Sequence, residues 1–129
     1  MPASPDHAII LFAHGARDAR WAQTLQVLRA ALLARQPHAR VESAFLEFQT
    51  PSLEQALNDA VVAGCKRIDI APVFWATGGH VTQDVPPMVE AFRHTYPDVQ
   101  VEMLPVLSEL PGMAEFIADA VHALVRKPS

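Results

Sequence analysis

The run Ala8-Ile-Ile-Leu-Phe-Ala13 constrains the fold more than any other part of the sequence. It has no polar side to turn toward water, so as a strand it belongs to the kind buried on both faces. It is also the longest uninterrupted apolar run, far short of the ~20 residues a membrane helix requires. Three further apolar, β-branched stretches follow at Val41 to Leu46, Ile68 to Phe74 and Val99 to Leu104.

Helical patterns alternate with these strands. The first helix is expected from about Ala19 to Gln36, with Trp21, Leu25, Leu28 and Leu32 on one face and Pro37 as its stop. Thr50-Pro51 reads as an N-cap and first-turn proline for a second helix. That helix carries Leu53, Leu57 and Val61 on one face and ends at Gly64. A third is expected from about Asp84 to Tyr96 with Val85, Met88, Val89 and Phe92 as its buried stripe. A fourth spans about Met113 to Val125, led by Phe116, Ile117, Val121 and Leu124.

A repeated strand–helix order implies right-handed crossovers and a parallel sheet with helices on both faces. The expected architecture is therefore one α/β domain over residues 1–129, a three-layer α/β/α sandwich around a four-stranded parallel sheet. Its ordered core should run from about residue 8 to 125, with frayed tails outside it. A chain of 129 residues buries roughly two-thirds of its unfolded surface, enough for one core. The single cysteine, Cys65, allows no intramolecular disulfide and reads as a reduced, inert thiol. The formal charge of −4, with no lysine or arginine block, argues against nucleic acid as a partner. Met1-Pro-Ala-Ser-Pro-Asp6 lacks the basic start and apolar stretch of a signal peptide, so a cytoplasmic protein with no membrane association is expected.

In such sheets ligands sit beyond the carboxyl ends of the strands. Strand one is followed by His14-Gly-Ala-Arg17, strand two ends at Glu47, and strand three leads to Thr77-Gly-Gly-His80. Two histidines and a carboxylate thus fall on one rim, each one βα unit from the next. Imidazole and carboxylate are the donors expected for a borderline divalent metal such as cobalt, nickel, iron or zinc. Gly15 allows a tight turn beside His14, and Gly78-Gly79 lets the backbone approach a ligand before His80. Arg17 and the early amides of the first helix can hold an anionic group. The bland readings are a hydrogen-bonding role for either histidine, a solvated strand end for Glu47 and a surface ion pair for Arg17 and Asp18. His7, His38, His94 and His122 lie at a tail, a turn and helix faces, and Met88, Met103 and Met113 read as packing. Trp75 and Phe45 flank the rim as core or as the wall of a flat aromatic ligand.

The series Leu11-Phe-Ala-His-Gly-Ala-Arg-Asp18, Ala44-Phe-Leu-Glu47, Pro51-Ser-Leu-Glu54 and Pro72-Val-Phe-Trp-Ala-Thr-Gly-Gly-His80 resembles the short sirohydrochlorin cobaltochelatases. These are class II chelatases with a ferrochelatase-like fold. The resemblance runs from about Ile9 to about Leu124. It implies ATP-independent insertion of a divalent metal, Co²⁺ first and Ni²⁺ or Fe²⁺ as alternatives, into a sirohydrochlorin-type tetrapyrrole of the cobalamin or sirohaem branches. His14 and His80 match the residues that hold the incoming metal, and Glu47 stands where an acidic residue assists. The metal is a substrate, no tightly bound cofactor is expected, and pairing as a homodimer is implied. No G-x-x-x-x-G-K-[ST] or G-x-G-x-x-G loop is present, which suits ATP independence. Arg17, Thr77, Gly78 and Gly79 would meet the carboxylate-rich macrocycle. The chain departs from the pattern at Ala16, where serine is common, which bears on metal or substrate preference. Two other classes stay open: a non-catalytic metal or tetrapyrrole carrier, and a phosphohydrolase with a histidine nucleophile. Ala13 stands where the latter would carry arginine.

Overall fold

A computed structural model describes residues 6–15, 18–75 and 79–125, with only the backbone described for Ala19, Trp21 and 79–82. The elements are β1 (His7–Ala13), α1 (Ala19–Arg35), β2 (Arg40–Phe45), α2 (Leu53–Val62), β3 (Arg67–Pro72), α3 (Gly79–Thr95), β4 (Gln100–Met103), a 3-10 turn (Leu107–Glu109) and α4 (Met113–Val125). The four strands form one parallel sheet in the order β2-β1-β3-β4. The apolar run becomes the central strand β1, in which no residue from Ala8 to Ala13 is more than 8% exposed. His7, read from sequence as tail, opens β1, and its Nε2 lies 2.7 Å from Asp69 Oδ2. Arg67 reaches the same carboxylate, so the buried Asp69 is paired twice, as a charge removed from water requires.

The two faces of the sheet differ. Ala8, Ile10 and Phe12 of β1 join Ala44, Ile68, Ile70 and Val101 beneath α2 and α3. Ile9, Leu11 and Ala13 join Val41, Phe45 and Val73 on the other face, beneath α1. On each edge strand an arginine from a neighbouring helix takes one carbonyl. Arg29 Nε donates to the Val41 carbonyl at 2.7 Å, and Arg93 Nη2 donates to the Val101 carbonyl at 2.8 Å. Each occupied carbonyl is one fewer partner for a further strand.

Three sequence expectations change. The second helix is capped by Ser52, not Thr50: Ser52 accepts from the Gln55 amide, and the Gln55 side chain accepts from the Ser52 amide. Pro51 instead gives its carbonyl to the Phe45 amide, which holds the segment on the sheet and delays the helix. The third helix begins at Gly79 rather than near Asp84, with Pro86 and Pro87 inside it. A start at Asp84 would have left both prolines in the first turn, where an amide has no helical partner to lose. The helix forgoes two amide donors instead. On α1, Leu25 is buried but Leu28 is exposed, and half-buried Leu32 and Leu33 complete the contact. Phe45, read as core or as rim wall, joins the core and also borders a cleft with Phe12 and Val85. The fourth helix has the expected bounds, yet none of its residues is buried. No described helix is long and apolar enough to cross a membrane.

Candidate metal centre

In this strand order the chain leaves β1 toward β2 on one side and crosses back to β3 on the other. The switch point therefore lies between the carboxyl ends of β1 and β3, the place where open α/β sheets bind ligands. His14 follows β1 and His80 lies in the first turn of α3, after β3. Glu47 follows β2.

The β1–β2 ladder does not stop at the strand ends. The Leu46 amide donates to the Ala13 carbonyl at 2.9 Å, and the Glu47 amide donates to the His14 carbonyl at 3.0 Å. These bonds bring two residues far apart in the chain side by side. His14 Nε2 and Glu47 Oε1 are 2.7 Å apart, with both side chains about half exposed at 55% and 50%. Gly15 makes the approach possible. Its φ is +96°, and a Cβ built there would stand 1.9 Å from the Glu47 carbonyl oxygen. Only glycine combines that dihedral with that clearance.

A hydrogen-bonded imidazole and carboxylate can act in two ways toward a divalent ion. The carboxylate can orient the ring while the other ring nitrogen binds metal. Alternatively, the ion can replace the shared proton. Donors bound at about 2.1 Å to one ion stand roughly 3 Å apart, close to the spacing observed. Among the described residues no group of three such donors is assembled. The His80 side chain lies outside the described atoms. Arg17, Thr77, Gly78 and Ala16 lie outside the described residues, and Gly79 is placed as the first residue of α3.

Asp18, read from sequence as a possible surface partner of Arg17, caps α1 by accepting from the Arg20 amide at 2.9 Å. Hydrogen bonds from the Arg20 guanidinium hold its carboxyl below the usual value of 3.8. Cys65 is buried, and desolvation pushes its thiol up, in keeping with an inert thiol.

Beside the donors the carboxyl rim is apolar. A cleft of ≈ 330 Å³ runs past Phe12, Phe74, Val85, Met103 and Val106, and a second of ≈ 220 Å³ shares Phe12 and Val85. Trp75 is 56% exposed at this rim, as its position after β3 suggested. Phe48 was missed. It is likewise 56% exposed and holds φ at +69°, a left-handed conformation uncommon for a bulky side chain. Its neighbour Glu47 and the close Phe45–Glu47 sequence hid it, because no pattern distinguishes the inward from the outward aromatic until the strand ends at Phe45.

The fold and rim define an α/β protein with a histidine–carboxylate pair at the carboxyl ends of β1 and β2, beside the switch point of a parallel sheet. Residues 8–124 match the CbiX family model, and the chain belongs to that family. It is 37% identical over 79 residues to a sirohydrochlorin cobaltochelatase of Methanocaldococcus jannaschii, covering 61% of this chain and 55% of that one. It is 29% identical over 86 residues to the sirohydrochlorin cobaltochelatase of Methanococcus maripaludis, covering 67% and 60%. The matched region thus spans less than two-thirds of these relatives. Among solved structures, a putative cobalamin biosynthesis CbiX protein from Marinobacter aquaeolei superposes with a TM-score of 0.76 at 32% identity, covering 94% of this chain and 99% of that one. The sirohydrochlorin chelatase SirB of Bacillus subtilis, solved in complex with cobalt, also gives 0.76. At 22% identity it shares the fold, and this chain covers 94% of itself but 50% of SirB.

Proposed function

We propose that this protein is a metal chelatase that inserts a divalent ion, Co²⁺ foremost, into sirohydrochlorin without ATP. The observation that carries the reading is the 2.7 Å His14–Glu47 contact at the carboxyl ends of β1 and β2, on a chain of the CbiX family. The names of the archaeal relatives support the substrate.

The chemistry has two needs. The metal must be held beside the macrocycle while it sheds water, and two pyrrole N–H protons must leave. Neutral imidazoles of His14 and His80 hold the ion, since a protonated ring has no lone pair to offer. Glu47 lies within reach of His14 and serves as ligand, as proton acceptor, or as each in turn. The apolar clefts suit the flat face of the ring, with Phe48 and Trp75 positioned to stack on it. The macrocycle's carboxylates fall to Arg17, Thr77, Gly78, Gly79 and the helix amides that follow β1 and β3. Two copies pair to complete the cleft, which one chain leaves open on the side of the half-exposed donors. The setting is cytoplasmic, in the cobalamin or sirohaem branch of tetrapyrrole synthesis.

The test is anaerobic incubation with sirohydrochlorin and Co²⁺, read from the visible spectrum against a no-protein control, then repeated with Ni²⁺ and Fe²⁺. Accelerated metallation is expected. Saturable spectral binding without acceleration would identify a carrier instead. His80→Ala should abolish insertion yet retain tetrapyrrole binding, and unchanged turnover in that variant would remove His80 from the site.

A further inference from the structure

The loop that joins β2 to α2 is pinned at both ends. Before its apex, the Leu46 and Glu47 amides donate to the Ala13 and His14 carbonyls. After it, the Pro51 carbonyl accepts from the Phe45 amide at 2.9 Å, and Phe45 and Ser52 form a bridge. The chain must therefore reverse within residues 47–50. A tight reversal between fixed ends is commonly made through a left-handed residue, and here that residue is Phe48, at φ +69°.

Among the described residues Phe48 is the one non-glycine with positive φ. Glycine or asparagine meets that dihedral easily, whereas a bulky side chain meets it with strain. Strain of this kind persists where the surrounding structure enforces it, and it gathers at functional positions. Burial does not explain the choice of phenylalanine. Phe48 is 56% exposed, whereas Phe12 and Phe45 are 1% and 8% exposed. A half-wet ring on a strained backbone adds little to the stability of the fold.

The neighbours of Phe48 point to a use. Glu47, immediately before it, is the carboxylate that meets His14 at 2.7 Å. Leu46 and Ser52, at the two ends of the loop, line the cleft of ≈ 220 Å³, which shares Phe12 and Val85 with the larger one. An exposed aromatic residue, an apolar cleft and a proton-accepting carboxylate thus meet on one loop. That combination suits a flat conjugated ring with ionisable N–H groups.

We propose that Phe48 is a substrate-positioning residue, kept at a strained position because its ring seats the macrocycle against Glu47. The assignment rests on the chelatase reading above and sharpens it, since it names the contact that sets the macrocycle beside the proton acceptor. It also separates Phe48 from Trp75, which is equally exposed but has no left-handed backbone. The signature of this role is a pair of opposite signs. Removing the ring relieves the fold and weakens the substrate complex, whereas removing a packing residue harms the fold.

The experiment compares Phe48→Asn, which suits the left-handed region without a ring, with Phe48→Tyr, which retains one. Thermal unfolding is measured alongside quenching of tryptophan fluorescence by metal-free sirohydrochlorin under anaerobic conditions. Phe48→Asn should unfold at the wild-type temperature or above it, and should bind sirohydrochlorin about tenfold more weakly. Its kcat for Co²⁺ insertion at saturating sirohydrochlorin should also fall. Phe48→Tyr should bind as wild type does. A lower unfolding temperature in Phe48→Asn identifies a packing role and overturns the assignment. Undiminished binding by that variant, or binding lost equally in Phe48→Tyr, overturns it as well. Weaker binding with kcat unchanged overturns the seating against Glu47. Wild type that binds no sirohydrochlorin overturns the substrate reading and this assignment with it, a result distinct from every outcome in the variants.

Discussion

The two faces of the sheet are finished to different degrees. Under α2 and α3, residues from all four strands are sealed, with Leu57, Ile68 and Ile70 at 0% exposure. On the other face α1 covers β1 and β2, and the apolar helix α4 has no buried residue. Apolar composition therefore measures what a segment must bury, and it is silent about whether the same chain supplies the cover. The face under α2 and α3 holds the larger of the two buried clusters and so carries more of the stability of one copy.

The sharpest way to probe this difference is to make the same substitution on each side. Leu57→Ala should cost roughly 2–5 kcal/mol in denaturant titration, because it opens a cavity in a sealed core. Leu124→Ala should cost under about 0.5 kcal/mol at dilutions where the chain is monomeric. Equal losses at high dilution would show that α4 is already packed within one copy.

The rim lies between these extremes and is exposed to solvent but tightly built. Gly15→Ala places a Cβ against the Glu47 carbonyl and imposes an unfavourable dihedral. It should destabilise by about 1–3 kcal/mol and depress metal insertion together, because the ladder that aligns His14 with Glu47 must shift. A variant with normal turnover would show that this close approach is dispensable.

The smallest effect concerns the exposed cap of α1. The Asp18 carboxyl is held below its ordinary value by Arg20, so its contribution is present above pH 3.8 and fades as pH falls through the lower folded value. Asparagine also caps helices well, so Asp18→Asn isolates the charge. The two proteins should differ in stability at neutral pH and converge in strong acid. A difference that persists there would assign the effect to geometry rather than charge.

Much of the fold was legible in the sequence: burial on both faces leaves β1 as a period-free apolar run, and all four expected stretches became strands within two residues of their expected ends. Placement of His14, Glu47 and His80 on one rim followed as well, since a repeated βα order fixes which strand ends face the same way. Local hydrogen-bond competition was not legible. Thr50-Pro51 was read as the helix start, but Pro51's carbonyl accepts from the Phe45 amide and Ser52 caps the helix instead.

The sequence by itself determined the parallel α/β layering, the rim that carries the donors and the helical, apolar nature of α4, all through short-range periodicity. Tertiary structure alone decided that Glu47 reaches His14, that Gly15 must lack a side chain, that Phe48 faces outward while Phe45 faces in, and that α4 finds no cover on its own sheet. Each of these depends on which backbones meet across the ladder, and periodicity along one segment carries no information about its neighbours in space.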